Sequence, residues 1–479
     1  MITKPFAPRM LIACGVSFCA LFASAQGVVL EKVAQIQVAK ATEIVCYDHS
    51  TQRAVLTIKE TPEVAVIAID ENGEPSIERR ISFADVGEVV NSVAAHEGLF
   101  AAAVEPREST EPGTVVFFDV HGNRLHESRV GPMPDMETFT HDGSMLLVAN
   151  EGVPNDAGTI DPPGSVSIID INAGYAVRTL LLGSDHPSKR QGWFTMPGNL
   201  APEMVEPEYI TISPDSTRAY VVCQENNAVF ELDLLDPRII ERHWLGMVEW
   251  GSNGASIDLD PDDGVLKPAS NFVSSLRQPD GIISFGTSNG LRLVTANEGD
   301  PRDEWGDDGM KKQSGVQVVQ SSDQPRNTPV IFGSRGVTLF DGHLKPLYDS
   351  ADTLEQSIAL LYKTGRISDE IMEAIDKRSG KRGIEPESIA TGMIDGRRLV
   401  FVGLERAGMI AVFEYDEEKD SLTHLSTCSV GVMPGQEPAI VSPEGLAFVG
   451  LNSSAAEFPL LIVCDELHGT LSILSVSFD

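Results

Sequence analysis

The chain has 479 residues, with 70 acidic against 36 basic side chains and a net charge of −34. That balance argues against a nucleic-acid surface or docking on anionic membranes, both of which need basic patches; it fits an exported protein or one that holds cations. An apolar content of 42% supplies a core, and the length exceeds one ordinary compact domain but suits one propeller.

Residues 1–25 read as a signal peptide. Lys4 and Arg9 give a positive start, an apolar run follows from Met10 to Phe22, and Ala23-Ser24-Ala25 offers a cleavage site before Gln26. Leu11 to Cys14 has the look of a lipoprotein box, but almost no apolar chain precedes that Cys. The expectation is a periplasmic or secreted protein without a membrane anchor.

From there one pattern returns along the chain. A strand opens on an acidic residue, often after Pro, and a second strand ends on Glu about 14 to 22 residues later. The clearest copies run from Pro134 to Glu151, Pro207 to Glu225, Pro279 to Glu298 and Pro386 to Glu405; weaker ones run from Glu43 to Glu60, Asn91 to Glu105 and Glu444 to Glu466. Alternating apolar and polar residues with turn signals between them make four short strands, A to D, of each unit. The third unit has DMETFTHD, SMLLVANE, GSVSIIDI and YAVRTLLL; the fourth has YITISPD, RAYVVCQE, NAVFELDL and RIIERHWL. The last unit lacks a strand D, which VVLEKVAQIQV after the signal peptide can supply, so that no edge strand is left open. The expected fold is therefore all-β: one seven-bladed β-propeller over 27–479, closed by its N- and C-terminal strands. Insertions interrupt it at 250–277, 300–330 and 354–380, the last with helical periodicity.

Antiparallel A and B strands bring the start of A and the end of B to the same face of the ring. Asn91 and the acids Glu43, Asp135, Glu208, Asp280, Glu387 and Glu444 open the A strands; Glu60, Glu105, Glu151, Glu225, Glu298, Glu405 and Glu466 close the B strands. Crowded carboxylates raise one another's pKa and call for cations or basic partners. Oxygen ligands without Cys or His suit Ca²⁺, Mg²⁺ or Mn²⁺. Arg107, Arg302 and Arg406 follow these glutamates closely and either pair with them or present a fork to phosphate. The alternative is that every blade uses its acids only to brace itself through backbone N–H groups.

Other motifs are weaker. Asp258-Leu-Asp260-Pro-Asp262-Asp263-Gly264 resembles half of a calcium loop, but Ala269 stands where the bidentate Glu belongs, so an acidic turn is expected. Cys46, Cys223, Cys428 and Cys464 fall in strands of different units with no metal or redox spacing; buried thiols are expected, with a Cys46–Cys464 bridge as the other option. Asn452-Ser453-Ser454 is a glycosylation sequon.

The strings GPMPDMETFTHDGSMLLVANEG, EPEYITISPDSTRAYVVCQENNAV, QPDGIISF with LVTANEGDPR, and EPESIATGMIDGRRLVFVGLERAG resemble the choice-of-anchor I family of exported bacterial proteins, related to the mesenchyme-specific cell-surface glycoprotein. The resemblance runs from about Lys40 to Phe478 and implies a YVTN/WD40-like propeller carried on varied C-terminal anchors; here the expectation departs from that pattern, a propeller without a sorting tail. Some relatives are described as alkaline-phosphatase-like, and propeller phytases hold calcium on acidic rims. Two functions follow as expectations: a metal-dependent phosphoester hydrolase whose metal sits among Asp135, Glu151, Glu208, Glu225, Asp280, Glu298, Glu387, Glu405, Glu444 and Glu466, or a non-catalytic binding or adhesion propeller. Either is expected as a monomer with a small-molecule or cell-surface ligand.

Overall fold

The computed structural model describes residues 27–59, 61–155, 157–183, 200–251, 255–301, 310–313, 315–319, 328–431 and 441–479. The expected signal peptide, Glu60 and Arg302 lie outside the described residues.

Seven four-stranded antiparallel sheets account for most of the chain. Blade 1 runs through Thr42–Asp48, Arg53–Ile58, Glu63–Ile69 and Pro75–Ser82; blade 2 through Val89–His96, Leu99–Glu105, Pro112–Phe118 and Arg124–Pro132. Blade 3 comprises Pro134–Phe139, Met145–Asn150, Ser165–Asp170 and Ala176–Leu181, and blade 4 Ile210–Ile212, Arg218–Cys223, Ala228–Asp233 and Arg238–Trp244. Blade 5 is built from Ile282–Thr287, Gly290–Asn297, Gly336–Asp341 and Pro346–Asp349, and blade 6 from Pro386–Ile394, Arg397–Leu404, Met409–Asp416 and Ser421–Ser429. Blade 7 takes Pro443–Val449, Leu460–Asp465 and Thr470–Phe478 from the C-terminal end and Val28–Gln37 from the N-terminal end. That last pairing is antiparallel, from Val28 opposite Phe478 to Gln37 opposite Thr470. The innermost strand of each blade touches those of both neighbours, and blade 7 touches blade 1, so the ring is closed.

The strand sequences follow their depth. Strands B and C are covered on both faces and read as nearly continuous apolar runs, such as MLLVAN and SVSIID. Strand D lies outermost and is largely exposed, as in AVRTLL. The core lies between neighbouring sheets; Leu147, Ala149 and Val166 of blade 3 pack with Val221, Cys223 and Phe230 of blade 4.

The 354–380 insertion forms two helices, α1 (Thr353–Lys363) and α2 (Asp369–Asp376). Leu354 and Ile358 of α1 and Ile371, Met372 and Ile375 of α2 pack on blades 5 and 6. Segments from the other two insertions share a small extra sheet: Met247–Glu249 pairs with Ser274–Leu276, which pairs in parallel with Val330–Ile331. The Asp258 loop is an acidic turn. Asp258 accepts the backbone N–H groups of Asp260 and Lys267, and Asp263 pairs with Lys267 at 2.8 Å. Cys46, Cys223, Cys428 and Cys464 are all free thiols, so the Cys46–Cys464 bridge does not form.

Candidate functional site

Glu43, Asn91, Asp135, Glu208, Asp280, Glu387 and Glu444 each sit at a bulge where the A strand of their blade begins. In blades 1, 2, 3, 6 and 7 the A–B register slips at Glu43, Asn91, Asp135, Glu387 and Glu444. In blade 4 the Glu208 N–H and the Tyr209 carbonyl both bond Val222, at 3.0 and 2.8 Å; in blade 5 the Asp280 N–H and the Gly281 carbonyl both bond Ala296, at 3.2 and 3.0 Å. Two residues then oppose one, and the extra residue is turned out of the ladder. Three of these entries carry a second device. Met133, Gln278 and Glu385, each just before a Pro, have φ of 49°, 45° and 51°. Non-glycine residues seldom occupy this region, and such strain concentrates at functional sites. Neighbouring A strands approach closely here: a Cβ on Gly281 would lie 2.6 Å from the Glu387 carbonyl oxygen, and one on Gly445 2.3 Å from that of Glu43. Any side chain at either position would push two blades apart.

The result is a cavity of about 350 Å³ at one mouth of the channel. Glu43, Asn91, Asp135, Glu208, Asp280, Glu387 and Glu444 all line it, and Glu151, Glu298, Glu405 and Glu466 join them from the B-strand ends. With Asp300 that makes eleven carboxylates, facing only Arg382 and Arg406 in the lining. Three carboxylate groups each bring their oxygens within 4.8 Å: Asp280, Glu298 and Glu387; Glu298, Glu385 and Glu405; and Glu387, Glu405 and Glu444. They share members and so form one continuous patch across blades 5, 6 and 7. Glu208 Oε2, Glu387 Oε2 and Glu444 Oε2 are buried without a hydrogen-bond partner.

The sequence-predicted residues divide. Asp280, Glu298, Glu387, Glu405 and Glu444 meet in the patch. Asp135, Glu151 and Glu208 line the same cavity but belong to no such group among the described residues. Glu466 is tied to Lys59, which also reaches Glu43 at 3.3 Å. Glu225 does not line the cavity; Gln224 takes that place and donates to Glu298 Oε2 at 2.8 Å. Glu225 stays close behind the lining, near enough that its charge raises Glu208 and Asp135. Glu105 accepts from Asn91 Nδ2 at 3.2 Å. Arg107 lies away from the site, exposed and paired with Glu88 at 2.6 Å. Arg406 is in the site, held by Glu405 at 2.5 Å and Glu385 at 3.3 Å.

Arg382 and Glu385 were not legible beforehand. Arg382 comes from the loop after α2 and pairs with Glu298 at 3.2 Å, Asp300 at 2.7 Å and Glu385 at 3.4 Å. Their only sequence signal was position, just before the Pro386-Glu387 pair.

Burial dominates the titration of the rim. It pushes Asp135 up to about 8, helped by Glu43 and Asp280, and Asp280 up to about 7, helped by Glu405 and Asp300. Burial also raises Glu208, Glu387 and Glu444 well above the carboxylate range, and neighbouring acids add to it. In Glu298 and Glu405, Arg382 and Arg406 oppose the rise without cancelling it. These acids are therefore costly to ionise in the metal-free fold. The folded state binds protons more tightly than the unfolded chain, whose carboxyls titrate near 4. The stabilising contribution is complete below about 4 and is lost as pH rises through about 7 and 8 for Asp280 and Asp135. Metal-free protein will melt at a lower temperature at pH 8 than at pH 5.5. Scanning calorimetry in chelator checks this, and a higher melting temperature at pH 8 would contradict it.

Fold and site together define a seven-bladed propeller with a carboxylate-lined channel mouth. The chain belongs to the choice-of-anchor I domain family, which matches residues 43–322 and 311–418. It is 32% identical to gigasin-3a of Magallana gigas over 160 residues, 30% of this chain and 56% of that one. It is 26% identical to the mesenchyme-specific cell surface glycoprotein of Strongylocentrotus purpuratus over 271 residues, 44% of this chain and 34% of that protein. The chain thus spans about half and a third of these two relatives. Among solved structures it resembles Kuenenia stuttgartiensis hydrazine synthase, with a TM-score of 0.50 and 10% identity over 93% of this chain and 98% of that one. The WD40 repeats of RRP9 match with a TM-score of 0.50 and 9% identity over 94% and 98%. At such identity the likeness is one of fold alone. Among the described residues no helix is long and apolar enough to cross a membrane.

Proposed function

We propose that this is an exported propeller that holds a hard divalent cation, calcium foremost, on Asp280, Glu298, Glu387, Glu405 and Glu444. The observation that carries this reading is the buried, unpartnered oxygens of Glu387 and Glu444 inside groups of mutually close carboxylates. Calcium bonds of about 2.3–2.6 Å let one ion span ligand oxygens about 4.6–5.2 Å apart, and oxygen is the donor it prefers. A bound cation would supply the charge that Arg382 and Arg406 cannot, and would make ionised carboxylates favourable at neutral pH. The acid excess, the N-terminal signal pattern and a relative named as a cell-surface glycoprotein support an extracytoplasmic setting.

Metal removal tests this. Wild-type protein is expected to bind calcium in calorimetric titration, and the double variant Glu298→Gln/Glu405→Gln to bind at least tenfold more weakly with unchanged circular dichroism. Absence of binding at millimolar calcium or manganese would sink the reading. Lower thermal stability in the double variant with unchanged metal content would show that the acids only brace the blades.

A second reading, a metal-dependent phosphoester hydrolase, is favoured by Arg382 and Arg406 in the same cavity. A divalent ion there would supply an activated water and neutralise a phosphate; the two guanidiniums would hold that phosphate in place. Both are engaged by carboxylates in this structure, so binding an anion requires them to exchange partners. Hydrolysis of p-nitrophenyl phosphate that stops with chelator and returns with calcium or manganese is the expected result; calcium binding without turnover leaves the cation-holding propeller alone.

A further inference from the structure

The outer strand of blade 4, Arg238–Trp244, is less exposed toward its end than that of blade 3; Arg242, His243 and Trp244 are all half-buried. Val229 lies opposite His243 and Glu231 opposite Glu241, with a bulge just beyond Glu231. Cross-strand partners and alternate residues share a face of the sheet, so Glu231, Glu241 and His243 stand together. Val229 identifies that face as the one turned to blade 5, since it packs with Leu293, Phe340 and Leu344. The Tyr220 hydroxyl donates to the Gly342 carbonyl at 3.4 Å, which brings a turn of blade 5 against the same face. Arg242 alternates to the other face, over the Phe230 ring.

Two glutamates directly opposite each other repel unless a cation joins them. Arg218 meets Glu231 through Oε1 at 3.5 Å but is shared with Asp233 at 3.2 Å. His243 Nε2 lies 3.6 Å from Glu231 Oε2 and 3.9 Å from Glu241 Oε2. Those separations are too long for hydrogen bonds. Nε2 is buried and has no hydrogen-bond partner, and the His243 side chain is only 12% exposed.

One ligand atom from each of the three residues falls within 4.8 Å of the other two. A single ion between them explains that spacing. With zinc bonds of about 2.0–2.2 Å, two ligands of a tetrahedral ion stand about 3.3–3.6 Å apart. An imidazole nitrogen beside two carboxylates suits zinc better than calcium, which prefers oxygen alone. Arg218 would steady Glu231 from behind. Glu241 is 63% exposed, which leaves a path for entry and a fourth position for water. The group shares no residue with the acid rim. We propose that Glu231, Glu241 and His243 bind one zinc ion, which clamps the outer strand of blade 4 to the strand beside it.

Calorimetric titration of the whole protein with zinc chloride tests this, with millimolar calcium present to occupy the acid rim. One equivalent is expected to bind at about 10 μM or tighter. His243→Gln and Glu241→Gln should each weaken it at least tenfold, while Glu298→Gln/Glu405→Gln leaves it unchanged. The exposed Glu241 keeps the test valid should His243→Gln not fold. Cobalt in place of zinc should give the visible absorption of a four-coordinate ion, lost in His243→Gln. Absence of saturable zinc binding overturns the proposal, as does undiminished binding by both site variants or loss of binding in the rim variant. A lower melting temperature in His243→Gln with unchanged zinc affinity also overturns it, because the three side chains would then be an ion-paired cluster of protonated histidine and glutamates.

Discussion

Replacing Arg335 with methionine is expected to lower the unfolding free energy by about 3–5 kcal/mol, the usual cost of removing one partner from a buried ion pair. Arg335 is 1% exposed and bonds Glu355 Oε1 of α1 at 3.0 Å and the Asp258 carbonyl at 2.6 Å. It also donates to the carbonyls of Ser379 and Lys381, at 2.7 and 3.1 Å. One guanidinium therefore joins blade 5, α1, the acidic turn and the loop that leads into Arg382. Without it Glu355, already raised by burial and held down by Arg335, takes up a proton, and the loop carbonyls lose their donor. Arg335→Lys should recover part of the loss only, since an ammonium cannot reproduce the planar fork. Urea unfolding measures the stability change; a loss below about 1 kcal/mol would show that the insertion holds itself in place. If the loop shifts, Arg382 leaves Glu298 and Asp300, and the calcium affinity of the rim changes with it.

Deleting residues 28–37 should abolish the soluble monomer. Those residues form the fourth strand of blade 7, with Val28 and Ala34 buried and Leu30 and Ile36 packed against the core. Each fully buried Val, Leu or Ile side chain contributes about 1.5–3 kcal/mol, so the loss rivals the stability of many domains. The deletion also bares the edge of Thr470–Phe478, a long apolar strand with unpaired backbone groups that invites another chain. Size-exclusion chromatography with light scattering should find aggregates or strand-exchanged oligomers. A monomer with wild-type melting temperature would show that blade 7 stands on three strands.

Much of this was readable in the residues. Period-two alternation and turn signals located the strands because each blade repeats one local problem: bury B and C, expose D, and enter the channel through A. The Pro-acid pairs marked those entries, since a bulge and a fixed proline φ are local features. Ring closure followed from counting, as a last unit short of one strand must borrow it. The helical insertion showed its own periodicity. Which acids meet was not readable. Alternation alone put Glu225 in the lining of the rim, whereas Gln224 lines the cavity and Glu225 acts on Glu208 from close behind it, because the end of a strand depends on the turn after it. Proximity in sequence put Arg107 beside an acid of the rim, yet its loop carries it out to Glu88. Arg382 and Glu385 come in from the loop that follows the helical insertion; neither follows from a local pattern. The chain by itself determined seven blades, their closure and a ring of carboxylates at one mouth, because backbone periodicity and strand direction suffice for those. Only the tertiary structure decided which carboxylates share a site and which cations reach them. Those contacts are made by loops and side chains far apart in sequence, whose paths depend on packing and not on repeat.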